Sequence, residues 1–221
     1  MTAATQNGRA NGHVPSQGTV TTRRRRQALA LVPTDAKEEI EVRVREILAL
    51  VGEDPDRDGL LRTPHRVAKM YGELLEGYAK DLKTVINGAM FEVEYGDGEM
   101  VVVANIEYSS LCEHHMLPFT GTAHIAYVPR DRVVGLSKIP RIVDMFAKRL
   151  QIQERLGNEI ADALDESLDP LGVMVVLEGQ HSCASLRGVK KHGVNMVTTA
   201  RRGTFREHAD LRDEFYRLVG R

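Results

Sequence analysis

The 221-residue chain has no tryptophan, only two cysteines and only 5% aromatic residues. A chain so poor in large rings must build its core from aliphatic side chains. It also lacks an excess of either charge. Lys plus Arg total 30 and Asp plus Glu 31, a formal net charge of −1. Bulk charge therefore gives no argument for nucleic acid or an acidic membrane as a partner. No apolar run approaches the roughly 18–20 residues of a membrane span, and the first residues lack the apolar stretch of a secretory signal. The expectation is a cytoplasmic protein with no membrane and no nucleic-acid partner. A Gly-x-x-x-x-Gly-Lys loop is absent too, which argues against P-loop phosphoryl transfer.

What is present is concentrated around the two cysteines. Each stands beside histidine, in Cys112-Glu113-His114-His115 and in His181-Ser182-Cys183. Thiolate and imidazole are ligands that zinc prefers, and three protein ligands leave a fourth position open for water. Cys112 and His115 lie three apart, so one tight turn can aim both at one ion. Cys183 follows 71 positions later (183 − 112) and has to be delivered by the fold. His114 and His115 are adjacent, so their side chains diverge and cannot readily share one metal. The reading is a catalytic zinc site of Cys112, His115 and Cys183, with His114 and His181 left to move protons. Such a site lowers the pKa of its water from 15.7 to about 7. A Cys112–Cys183 disulfide is the rival, but it leaves the histidines unexplained, and a reducing compartment disfavours it.

The organisation reads as three parts. Residues 1–33 are rich in Gly, Asn, Thr and Gln, and form a tail expected to be disordered. Arg23–Arg26 within it read as a solvated charge run, or as a contact for an acidic partner. Residues 34–90 read as helical. Thr34 and Asp35 can cap a first helix with Ile40, Val44, Ile47 and Leu48 on its apolar face and Gly52 at its stop. Thr63 as N-cap and Pro64 at the first position open a second helix. From residue 91 to 221 the period changes. Strands are expected over Phe91–Tyr95, Met100–Tyr108 and Thr120–Val128, with Gly96-Asp97-Gly98 as a hairpin turn between the first two. The Cys112 motif then falls in a connection between strands. Helices follow over Pro140–Leu150 and Glu154–Leu168. A buried strand over Val173–Leu177 delivers His181 and Cys183, and Val194–Thr199 and Phe205–Leu218 close the chain as strand and helix. Helices, strands, helices, strands is the order of an α+β fold with an antiparallel sheet.

Four blocks together resemble the GTP cyclohydrolase I family: Cys112-Glu113-His114-His115, Gly135-Leu136-Ser137-Lys138-Ile139-Pro140-Arg141, Gln151-Ile152-Gln153-Glu154-Arg155-Leu156, and His181-Ser182-Cys183 through Arg187-Gly188-Val189. Gly59 to Pro64 and the helix after it are similar to the family's N-terminal part, so the resemblance covers about residues 35–219. It implies the tunnelling fold (T-fold): an antiparallel sheet with helices packed on one side, an N-terminal helical extension, and a catalytic domain over 91–221. It implies zinc-dependent opening of GTP at purine C8, with formate release and rearrangement to 7,8-dihydroneopterin triphosphate, the first step of folate and pterin biosynthesis. It further implies one Zn2+ per subunit and a homo-oligomer, a decamer with active sites between subunits.

The resemblance also assigns residues. His114 and His181 take the proton-transfer roles, because protonating N7 would make C8 more electrophilic. Glu154 can accept from the paired N1–H and amine donors of guanine, and Gln153 is a second candidate at that edge. Arg66, Lys69, Lys138, Arg141 and Arg187 match positions lining the triphosphate, where Arg suits bidentate contact and Lys a point charge; Ser137 can donate a hydroxyl bond there. Departures are confined to Ala184-Ser185-Leu186 after the last cysteine and to Val194 and Met196 in the closing strand. Two other readings stand beside this one: a structural-zinc module with a nucleic-acid-binding Arg23–Arg26 arm, and a T-fold relative acting on another purine or pterin.

Overall fold

A computed structural model describes residues 34–92 and 99–221. The expected tail, its Arg23–Arg26 run and the turn at Gly96-Asp97-Gly98 lie outside the described residues. Helix α1 spans Thr34–Leu50 and α2 spans Thr63–Leu74. Gly52, at φ 88°, takes the left-handed conformation expected after a helix end. The start of α2 differs by one residue from the sequence reading. Arg62 is the flanking residue and Thr63 is already helical. Pro64 still fits, because the first turn needs no N–H from it.

A 3-10 turn over Glu76–Ala79 leads to α3, Leu82–Ile86, whose first turn is capped by Asp81 accepting from Thr84 N at 3.0 Å. Strand β1 is Met90–Glu92 and β2 is Val101–Cys112. β3 spans Pro118–Val128 and β4 Arg132–Val134. Then come α4, Lys138–Ala147; β5, Leu150–Gln151; and α5, Gln153–Leu168. The chain ends with β6, Gly172–His181; α6, Ser182–Ser185; β7, Met196–Gly203; α7, Thr204–Glu207; and α8, Ala209–Leu218.

The main sheet has the order β5-β2-β3-β6-β7. Its long pairs are antiparallel, as the α+β pattern requires; the two-residue β2–β5 pair is parallel. Among the described residues β1 pairs with β4, not with β2. The expected hairpin is thereby corrected. The short β4 escaped notice because three residues carry no readable period. The single closing helix is also corrected: extended backbone at His208, φ −98° and ψ 113°, divides it into α7 and α8.

Strand alternation sorts the core. Ile125, Tyr127, Val173, Val175 and Leu177 point to the face covered by Ile139 and Ile142 of α4 and by Leu156, Ile160 and Leu164 of α5. Ala126, Val128, Met174 and Val176 point the other way and are covered at one end by Phe205 of α7 and Phe215 of α8. Each fully buried side chain of this size contributes about 1.5–3 kcal/mol of burial. One close approach fixes the middle of the sheet. A Cβ on Gly121 would lie 1.7 Å from the Glu178 carbonyl oxygen, so only glycine fits there.

Candidate active site

The site is assembled at the ends of β2 and β6. These strands are separated by β3, with Leu111 opposite Pro118 and Phe119 opposite His181. Cys112 is the last residue of β2 rather than a loop residue, and it is buried. Glu113, His114 and His115 form the turn that follows. The turn is closed by Cys112 N donating to Leu117 O at 2.9 Å and Met116 N to Cys112 O at 2.8 Å. On the other side β6 ends at His181, and α6 carries Cys183 half-buried.

The donor atoms of Cys112, His115 and Cys183 lie within 4.8 Å of one another. Two sulfurs on one tetrahedral zinc would sit about 3.8 Å apart, so small side-chain torsions close the set. Two thiols and one imidazole on a partly open surface fit an ion that keeps a fourth position. Burial pushes the Cys183 thiol up, and the neighbouring Cys112 sulfur adds to that. A cation between the two sulfurs would reverse the effect. His114 diverges from His115, their ring centroids 6.4 Å apart at 74°, and its Nδ1 lies 3.7 Å from Cys112 Sγ.

His181 is held in one tautomer. Its ring stacks on Phe119, centroids 4.5 Å apart and 5° from parallel, and its Nε2 faces Gln153 Oε1 at 3.0 Å. Gln153 Nε2 already donates to Leu177 O at 3.1 Å, Met196 O at 2.9 Å and Thr198 Oγ1 at 3.3 Å. That fixes the amide's orientation, so the oxygen faces the histidine and His181 carries its proton on Nε2 when neutral. Nδ1 is the nitrogen left for other work. Burial lowers the His181 pKa, and the nearby Glu154 carboxylate opposes that shift.

Glu154 is exposed in the first turn of α5, at the same end of the sheet as His181. Gln153 is fully buried. Its donors are directed into the sheet, whereas the sequence reading placed it beside Glu154 at the base edge.

Of the expected cations, Arg187 reaches the centre, its Nη1 donating to His115 Nε2 at 2.7 Å. Ser137 and Lys138 stand at the start of α4, and Arg141 on that helix lines a cavity of about 400 Å³ with Lys80, Asp81, Thr84 and Asp144. Arg66 and Lys69 are exposed on α2, where Lys69 lies 3.7 Å from Glu73. Among the described residues no hydrogen bond or ion pair joins these five to Cys112, His115 or Cys183. Sequence reasoning missed Phe119, Gln151 and Arg155 around the site. Gln151 and Arg155 lie inside one of the motif blocks, which was the signal available for them; Phe119 lies four residues past His115 and carried none.

These elements define a class: an α+β sheet protein whose strand ends could hold a metal ion beside two further imidazoles. The match over residues 40–220 to the model of GTP cyclohydrolase I makes the assignment particular, and the chain belongs to that family of hydrolases. GTP cyclohydrolase 1 of Campylobacter jejuni is 51% identical over 176 residues, which are 80% of this chain and 92% of that protein. GTP cyclohydrolase 1 2 of Pseudomonas putida is 54% identical over 176 residues, 80% and 94% of the two chains. Among solved structures, the apo archaeosine synthase QueF-Like matches 47% of this chain and 93% of its own at 18% identity and a TM-score of 0.40, a likeness too distant to add to the assignment.

Proposed function

We propose that this chain hydrolyses GTP at purine C8 in a zinc-dependent reaction, releasing formate and giving 7,8-dihydroneopterin triphosphate. The observation that carries this reading is the convergence of Cys112, His115 and Cys183 within 4.8 Å in a chain of this family. The ion they would hold supplies an activated water and a Lewis acid. The protein's own groups do the rest. His181, with Nε2 committed to Gln153, presents Nδ1 for proton transfer at the purine. His114, beside Cys112, is the second proton carrier. Glu154 accepts from the N1–H and amine edge of guanine, a pairing that other purines would leave unsatisfied. Arg187 serves the triphosphate from within the chain.

Ser137, Lys138, Arg141, Arg66 and Lys69 complete the phosphate site in an assembly, with centres shared between copies. The uncovered sheet edges support that reading. Among the described residues β7 pairs only with β6, and most of β2 lacks a partner opposite β3. Val197 on β7 and Leu186, Val189 and Val194 in the segment that precedes it are more than half exposed. We infer a homo-oligomer built edge to edge, of decamer size, in the cytoplasm. No helix among the described residues is long and apolar enough to cross a membrane.

Metal analysis and GTP turnover on one preparation test the function. About one zinc per chain with formate and a neopterin product is expected; stoichiometric zinc without either product would refute it. Sedimentation of the same preparation tests the assembly, and a monomer would refute the shared site.

A further inference from the structure

Glu113 lies inside the ligand-bearing turn, yet the reaction gives it no task. Its environment is specific. The backbone N–H of Glu113 donates to Gln151 O at 2.9 Å, and its carboxylate pairs with Arg155 Nη2. The same Nη2 donates to Leu150 O at 2.9 Å, and Arg155 Nε donates to Gln151 Oε1 at 3.0 Å. Gln151 is buried and tied in turn to Phe146 O at 3.0 Å and Glu159 Oε2 at 2.8 Å. Strand β5 and helix α5 therefore grip a single residue of the turn twice, once by its backbone and once by its side chain.

The turn needs such a grip. Met116, just past His115, sits at φ 53°, a left-handed conformation that non-glycine residues rarely adopt. Cys112 is fixed by its ladder pairing with Gln151. The direction in which His115 leaves the strand is then set by how Glu113 is held. Arg155 and Glu113 are about one-third exposed, so the pair adds little to global stability. Its effect falls on geometry.

We propose that Glu113, held by Arg155, is a positioning residue for the metal-ligating turn, setting the affinity and geometry of the Cys112/His115/Cys183 centre without touching the ion. The inference rests on the metal reading of that centre. Groups that orient ligands in this way change metal affinity by about 10–100-fold when removed.

The test uses the full-length protein and compares the parent with Glu113→Ala, Glu113→Gln, Arg155→Ala and the double alanine variant. Zn2+ affinity is read by competition with a chromophoric chelator, geometry by the visible spectrum of the Co2+ form, and folding by the melting temperature of the metal-free protein. Glu113→Ala should weaken Zn2+ by about 10–100-fold and shift the Co2+ bands, with little change in melting. Glu113→Gln, which keeps an acceptor for Arg155, should restore affinity to within about threefold, and the double variant should be no worse than either single one. Glu113→Gln behaving like Glu113→Ala would assign the effect to charge and overturn the positioning role. Parent-like affinity and spectrum in Glu113→Ala would overturn it as well. Arg155→Ala also releases Leu150 and Gln151; if it fails to fold, the two Glu113 variants decide alone. A parent protein that binds neither ion would overturn the metal reading and this inference together.

Discussion

Replacing Gln153 with alanine separates two roles for a residue that holds His181. The side chain is fully buried, with its Nε2 shared among Leu177 O, Met196 O and Thr198 Oγ1 and its Oε1 on His181. Each hydrogen bond contributes about 0.5–1.5 kcal/mol, and an acceptor left dry costs about 1–3 kcal/mol. Taking the two bonds nearest ideal length plus the loss at His181, the expected destabilisation is about 2–6 kcal/mol. For a chain of this size that lowers the melting temperature by about 4–24 °C. Gln153→Glu should be about as damaging at neutral pH, because it turns carboxylate lone pairs toward carbonyl oxygens. The assays are calorimetry and nitrogen NMR of His181. The parent and Gln153→Glu, which keeps an acceptor at Nε2, should show the Nε2–H tautomer, and Gln153→Ala a mixture. A contact to substrate would instead raise KM and leave melting unchanged. Melting within about 2 °C of the parent, with His181 unaltered, would refute the reasoning.

Cys112→Ala and Cys183→Ala should each lose metal and turnover together, measured by metal content and formate release. His114→Ala should keep the metal and lose turnover; metal loss in that variant would show that His114 is a ligand. Gly121→Ala drives a Cβ against the backbone of Glu178, where nothing can rotate away, and should cost more than about 3 kcal/mol in urea unfolding. Lys148 and Lys80 hold the Glu76 carboxyl below the usual range. A depressed carboxylate contributes stability above its unfolded pKa of about 4.3, and that contribution is lost as pH falls through the lower folded value. The stability difference between the parent and Glu76→Gln should therefore shrink between about pH 6 and pH 3; a constant difference would refute the assignment.

The cluster of Cys112, His115 and Cys183 that could hold a metal was legible in the sequence because its chemistry is local: two thiols, each beside imidazole, need little context. Long elements were legible for the same reason. The 16 residues of α5 and the ten of β6 each carry several repeats of their period. What escaped was non-local. Phe91 could not announce that it pairs with Val133 of β4, because partner choice depends on contacts between segments some forty residues apart in the chain. Gln153 and Glu154 are neighbours of similar character, yet one is buried and the other exposed. The difference arises from the contact of α5 with β6 and β7, which no window around residue 153 contains. Arg155 was hidden likewise: its partner Glu113 lies 42 positions away.

The placement of Cys112 at the end of β2 and of Cys183 on α6, just past the end of β6, has a mechanical consequence, because β2 and β6 do not touch. A link between them spans β3 and closes a loop of 71 residues (183 − 112). On the chain-entropy account such a closure removes about 4 kcal/mol of freedom from the unfolded chain. An ion bound there would act as a staple across the mouth of the sheet, and a disulfide between the same sulfurs would staple it equally well. Oxidised protein should therefore lose its ion and its turnover while melting close to the metal-loaded form. Stripping the ion under reducing conditions should lower both activity and melting temperature. Heat resistance would then be a poor proxy for an active preparation, and the zinc-to-thiol ratio the quantity to measure.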